Sequence, residues 1–294
     1  MSFARTVDTA KPEASIAARL GSLLRYPSLV WQNRYTVQNF FQRELMGRFH
    51  GSFLGAWWML VQPLFMFAVY FLVFGVMFDR TGNGPSVDYA LYLFSGVIVF
   101  HALTEATSSC CNIIVQNGNL VKKVAFPSEV LPVHVSMISV VLYLIGAVVC
   151  LTVGVASGQF GFGVHLLGLP LVVLVQFIFV LGLGMLLANA NVFVRDVSQL
   201  WRIISMAWMF TSPVFWTPDM IVEKLGDKAD ILFTLNPAYS MLMAQRYALA
   251  GPWPNVGIDS FWGHLGAGAA WAVGLMVVGY VTFVGSKRKH ADIV

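Results

Sequence analysis

The sequence predicts an all-α integral membrane protein. Six transmembrane helices are expected, with an amphipathic interface helix ahead of them and short re-entrant helices between the fifth and sixth. Three observations predict this class. Long apolar runs recur, the first at residues 54–78, twenty-five residues without a charge. About 20 apolar residues cross the hydrocarbon as a helix, and 294 residues cannot build a soluble core that hides five such runs. The chain is 57% hydrophobic and only 11% charged, less than half the charge of an ordinary soluble domain. Its Lys and Arg residues also fall mostly on one side of the spans, as described below.

Residues 1–53 are read as a cytoplasmic tail and interface helix, 54–284 as the membrane domain, and 285–294 as a second cytoplasmic tail. A cleaved signal peptide is not expected, because the first apolar run is too long and too late. Between residues 26 and 53, Trp31, Tyr35, Phe40, Phe41, Leu45 and Phe49 alternate with Arg34, Gln38, Arg43 and Arg48. Rings on one side and guanidinium groups on the other suit a helix lying in the interface plane. The same helix could dock on a partner protein. The chain is expected to turn into the membrane near Gly51 or Gly55.

The spans are placed at 54–78, 89–115, 130–156, 165–190, 201–216 and 261–284. With both termini cytoplasmic, fourteen basic residues lie inside and only Arg80, Lys224, Lys228 and Arg246 lie outside. Flipping the topology would reverse that bias, so the basic residues report orientation rather than contact with nucleic acid. The fifth span is the shortest, sixteen residues with Pro213 near its outer end. It either crosses a thinned membrane or continues as a broken element shielded by protein.

Several residues inside the spans need a reason. Glu105 is the lone acid within a span, and His101 lies one helical turn before it. A carboxylate at that depth must face the bundle interior, a partner or water. It can line a conduit, couple protons or make an interhelical hydrogen bond. Pro63 removes a helix bond in the first span, and Gln62 beside it can satisfy freed backbone groups. Trp57 and Trp58 are either interface anchors or rings facing a passage for sugars. Cys110, Cys111 and Cys150 lack metal-site or disulfide spacing and read as small packing residues.

Two connections stand out. Residues 119–127 are short and basic, with Lys122 and Lys123 flanked by Leu120, Val121, Val124 and Phe126, and they end at Pro127. Exposed apolar residues on so short a cytoplasmic piece suggest docking into a groove on another protein; a plain tight turn is the other option. Between spans five and six, Asn236-Pro237 is a good helix start and Gly251-Pro252 a good stop. The enclosed thirteen residues, 238–250, are too few to span and read as a re-entrant or interfacial helix. No phosphate loop, HExxH or GxSxG motif is present, so no catalytic site and no cofactor are expected, and any motor belongs to a separate subunit.

The chain resembles the permease subunits of ABC-2 type exporters, in particular those exporting O-antigen, capsule or teichoic acid. The resemblance rests on Arg43-Glu44-Leu45, Arg48, Gly55, Trp58 and Gln62-Pro63. It continues through Asn119-Leu120, Lys123, Phe126-Pro127 and Leu131-Pro132, then Arg195-Asp196, Ser212-Pro213-Val214-Phe215, Asn236-Pro237 and Arg246-Tyr247. It implies a homodimer working with two ATPase subunits, which hold the ATP and Mg2+, in a bacterial cytoplasmic membrane. It also implies a lipid-linked glycan substrate, on undecaprenyl diphosphate or a phospholipid-type anchor. Residues 119–127 would be the coupling helix, and Arg34, Arg43 and Arg48 candidate partners for the lipid phosphate. The channel and gate would draw on Trp57, Trp58, Gln62, Pro63, His101 and Glu105, with Pro213, Phe215, Asn236, Pro237, Tyr239 and Tyr247 at the outer end. A drug or lipid exporter, or an ion-coupled transporter using Glu105 and His101, would fit the same topology.

Overall fold

The computed structural model describes residues 15–48, 50–77, 87–122, 126–252 and 260–293. Phe49, Arg80, Lys123 and Val124, named above, lie outside the described residues. Among the described residues the fold is entirely helical. Among the described residues, five helical stretches are long and apolar enough to cross a membrane: Gly55–Val73, Val87–Gln116, Ser128–Ala156, Val164–Phe193 and Phe261–Ile293. The protein is an all-α, multi-pass membrane protein.

The chain becomes helical earlier than the expected 26–53 stretch. Helix α1 (Ile16–Gln32) starts on a Ser15 cap whose hydroxyl accepts from the Ala18 amide, and it contains Pro27. Asn33 separates it from α2 (Arg34–Gly47). The turn into the bundle comes at Gly51 and Gly55, whose φ of 78° and 51° favour residues without a Cβ. Helix α3 (Trp58–Tyr70) follows, continuing as a π-helical segment at Phe71–Met77.

Helix α4 (Val87–Gln116) is the axle of the bundle, with nineteen buried residues, and it packs against α3, α6 (Leu131–Ala156), α7 (Leu169–Phe193) and α8 (Val197–Thr211). Between α4 and α6 lies the four-residue α5 (Gly118–Val121). The most extensive contact joins α7 to α12 (Phe261–Ile293). There, small residues let the backbones touch: a Cβ on Gly182 would strike the Met276 backbone, and one on Gly279 the Gly182 carbonyl. The same α12 runs without a break to Ile293, through most of the expected tail.

Helix α8 has fifteen residues, about 22 Å against roughly 30 Å of hydrocarbon. Beyond it lie three short helices, α9 (Pro218–Leu225), α10 (Ala229–Leu235) and α11 (Pro237–Ala250). Asn236 caps α11 through Ala238, and Gly251 with φ 80° ends it. Helix α11 is no surface element. Ten of its fourteen residues are buried, from Ala238 to Leu249.

Candidate functional site

The first cluster lies where α2 meets the bundle. A cavity of about 160 Å³ opens between α3, α4 and α6, and its lining includes Arg48, Gln62, Pro63, His101 and Glu105. Arg48, just past α2, places Nη1 2.9 Å from the Glu105 carboxylate on α4. Its Nη2 is 3.9 Å from Glu44 one turn back. The Arg48 Nε is buried and finds no acceptor. Glu105 thus has a cation as partner, and His101, one turn away, shares its cavity. An ion pair of this kind ties the helix ahead of the spans to the centre of the bundle. It also sets a charged pair beside otherwise apolar walls such as Phe94, Val97 and Leu142.

The second cluster lies at the other end of α4, and its centre is Arg246. This side chain is wholly buried, with no carboxylate paired to it among the described residues. An uncompensated buried charge is costly, so the compensation has to come from dipoles and rings. The guanidinium lies 3.6 Å from the Tyr92 ring centroid, and it donates to Ser95 Oγ and the Tyr92 carbonyl, both at 3.2 Å. Gln245 donates to the Ser95 carbonyl at 3.0 Å. The Tyr92 hydroxyl in turn reaches the Pro213 and Trp216 carbonyls at 3.1 and 2.7 Å, and Tyr89 reaches that of Phe215 at 3.0 Å. Asn236 completes the knot: its Oδ1 accepts from Trp208 at 2.8 Å and its Nδ2 donates to Ser212 at 3.0 Å. Helix α11, the turn after α8 and the start of α4 are thereby fastened to one another.

At the end that carries α1, a third arrangement lies beside the described residues of that connection, 119–122 and 126–127. Lys287 of α12 reaches the Glu129 carboxylate at 2.6 Å, and Tyr26 of α1 donates to the Glu129 carbonyl at 2.9 Å. Burial, with the Glu129 carboxylate adding to it, holds the Tyr26 phenol well above its usual range, so it stays a neutral donor. The apolar residues expected to be exposed here are not all exposed. Val121 is buried, and Phe126 packs half-buried against Phe40 at 6.5 Å between ring centroids. Two rings packed inward gain more than two rings left in water, which the local sequence could not show. Asn119 and Lys122 are exposed, while Leu120 and Pro127 are half-buried.

The sequence-nominated residues therefore separate into groups. Arg48, Gln62, Pro63, His101 and Glu105 share one cavity. Pro213, Phe215, Asn236 and Pro237 meet at the other end, where Tyr239 stacks on Phe233 at 4.4 Å and Tyr247 sits 5.7 Å from Phe261. Trp57 and Trp58 join neither group; both are exposed, and Trp58 donates to Ser52 at 2.8 Å. Arg34 and Arg43 lie over aromatic rings, Arg34 on Tyr35 at 4.5 Å and Arg43 on Phe40 at 4.8 Å. Sequence reading passed over Tyr92, Ser95 and Trp208 altogether. Gln245-Arg246 within an apolar helix was the available signal for a buried polar knot. The cysteines are free and buried.

Against known proteins, residues 35–249 match the ABC-2 type transporter family. The chain is 29% identical over 224 residues to an O-antigen export system permease protein, RfbA, of Myxococcus xanthus, covering 76% of this chain and 84% of that one. It is 24% identical over 209 residues to a protein of the same name from Klebsiella pneumoniae, covering 69% and 76%. The chain belongs to the ABC-2 type transporter membrane family.

Proposed function

We propose that this permease exports a lipid-linked polysaccharide across a bacterial inner membrane, powered by a separate ATPase subunit. The observation that carries the reading is its likeness, through most of the helix bundle, to permeases named for O-antigen export. Two copies enclose the path. No side chain of α3 is fully buried within the chain itself, and α8 leaves Leu200, Ile203, Ile204 and Phe210 exposed along one face. In this reading a second copy rather than lipid covers those faces, with α8 acting as the short fifth span in its company.

In this reading both termini and residues 119–127 face the cytoplasm, where the ATPase docks on Asn119, Leu120 and Lys122. Closure of the motor pushes that connection and α2, and the movement reaches α4 through the Arg48–Glu105 pair. The cluster at Pro213–Phe215 and Asn236–Tyr247 is the outer gate, with α9 to α11 re-entering the membrane there. Of the three arginines near the inner mouth, Arg48 faces a cavity and is the one placed to meet a phosphate first. The permease performs no bond chemistry; it supplies a path, and the glycan slides past ring faces without tight binding.

Co-expression with the ATPase and its lipid-linked glycan tests this. The two subunits should co-purify, the glycan should raise ATP hydrolysis, and Lys122→Glu should uncouple hydrolysis from export with the membrane fold intact. Export by the permease alone, or glycan export unaffected by its deletion, would overturn the proposal.

A further inference from the structure

A cavity of about 660 Å³ lies at the end of the bundle away from Lys287, between the turn Val164–Gly168, the end of α11 and the start of α12. That volume falls in the range of small-molecule pockets, about 300–1,000 Å³. Its lining includes His165, Tyr247, Ser260, Phe261 and Trp262, with Leu167 beside them. Among the described residues no Lys, Arg, Asp or Glu takes part. Trp262 alone, 71% exposed, would be an ordinary interface anchor. The imidazole near it has no such explanation. A Cβ on Gly163 would stand 2.8 Å from the His165 ring and one on Gly251 3.3 Å, so two residues without side chains make room for it. The His165 Nε2 is buried and finds no partner in the chain. A buried nitrogen of that kind is costly until a ligand or water bonds it.

Depth and chemistry narrow the occupant. Phe261 lies 26 residues before Lys287, about 39 Å along α12, more than the roughly 30 Å of hydrocarbon. Lys287, Arg288 and Lys289 belong at one headgroup level, since charges inside the hydrocarbon are costly. The pocket therefore lies at or beyond the opposite headgroup level, where acyl chains do not reach. With no fixed charge in its described lining, it holds no strong partner for a phosphate or carboxylate. What it presents is aromatic faces with polar groups among them: the imidazole nitrogen, the Tyr247 hydroxyl, the Trp262 indole N–H and the Ser260 hydroxyl. Ser260 Oγ accepts from the Gly263 amide at 3.3 Å and keeps its own hydrogen to donate. A pyranose ring is built to match, with C–H groups on its faces and hydroxyls round its edge. Its weakly positive C–H hydrogens suit the negative face of an aromatic ring.

We infer that this pocket binds a neutral sugar ring of an oligosaccharide on the side of the membrane away from Lys287. Trp262 supplies the open face, and His165 Nε2 takes a hydroxyl. A sugar held there touches α11 through Tyr247, the residue after the buried Arg246. The inference rests on the proposed export reading for the source of the sugar and for which side is outer. The pocket's affinity for a sugar does not depend on transport.

The test uses the full-length protein in phosphatidylcholine nanodiscs, prepared without glycoside detergent, and saturation-transfer NMR of neutral trisaccharides of glucose, galactose, mannose and rhamnose. At least one of the four should give a saturable signal from its ring C–H protons. Trp262→Ala should abolish that signal and His165→Ala should weaken binding severalfold, while melting shows both variants still folded. An alkyl phosphocholine should not displace the sugar, and a trisaccharide of galacturonic acid should bind severalfold more weakly. Four results would overturn the inference: no saturable signal from any of the four sugars, a signal unchanged in either variant, displacement by the alkyl phosphocholine, or equal binding of the acidic trisaccharide. The first two count against the site and the last two against its occupant. The export reading fails separately: sugar binding with no glycan exported by the co-expressed permease and ATPase would sink that reading and leave the pocket standing.

Discussion

Reversing one charge of the Arg48–Glu105 pair should weaken the bundle, and reversing both should restore it. The 2.9 Å separation is a direct ion pair, yet the side chains keep 22% and 38% of their exposure. Fully exposed pairs are worth ~0–1 kcal/mol, and breaking one side of a buried pair costs ~3–5 kcal/mol. Half-exposed groups fall between, and Glu44 at 3.9 Å retains part of the Arg48 charge balance. The coupling between the two positions should therefore be about 1–2 kcal/mol. A double-mutant cycle measures it: Arg48→Glu, Glu105→Arg and the swapped double, each unfolded reversibly in the same mild detergent. Glu105→Arg alone should cost more than Glu105→Gln, because it sets two guanidinium groups against each other across the cavity. Under the proposed mechanism, export should fall in both single reversals; the swap restores the tie to α4 but not the Arg48 contact with the lipid phosphate, so stability should recover fully and export only in part. A coupling below about 0.5 kcal/mol, the usual scatter for independent sites, would refute the idea that this pair joins α2 to α4.

Other outcomes follow from close contacts elsewhere. Gly96→Ala would place a methyl 2.8 Å from the Arg246 Nη2 and 3.2 Å from the Val214 Cα, so overpacking should lower stability by about 1–3 kcal/mol in a melting assay. Arg246→Lys keeps the charge but loses the flat fork that meets Ser95 and the Tyr92 carbonyl together. A cysteine-accessibility probe at Phe215 should then report a looser outer turn, and an unchanged rate would count against the knot. Gly182→Leu should force α7 and α12 apart and reduce yield of folded protein more than Gly274→Leu, whose Cβ would meet open space. Lys287→Ala strands the nearly buried Glu129 carboxylate, and hydrogen exchange in α1 should quicken; protection equal to wild type would show that the pair does not hold α1 in place.

Apolar run length and the side bias of Lys and Arg are written directly into the chain, because lipid imposes them residue by residue. The turn at Gly51 and Gly55 and the limits of α11 at Pro237 and Gly251 could be read for the same local reason: backbone conformation there depends on a single residue type. The beginning of α1 at Ile16 was not read from the sequence, and the helix runs on through Pro27. Phe126 was misjudged as exposed because its burial depends on Phe40, more than eighty residues away in sequence, and Val121 because α5 packs on α4 and on the distant α12.

By itself the sequence determined the membrane class, the approximate place of each long helix, and the demand that Glu105 have a partner. Only tertiary structure decided who that partner is. Arg48 is fifty-seven positions earlier and meets Glu105 because the chain just past α2 reaches the cavity that α4 lines. Tyr92 and Arg246 find each other across a still longer interval, since α11 folds back beside α4. A burial requirement is set by one residue's own hydration energy, whereas the choice of neighbour is set by how the helices pack.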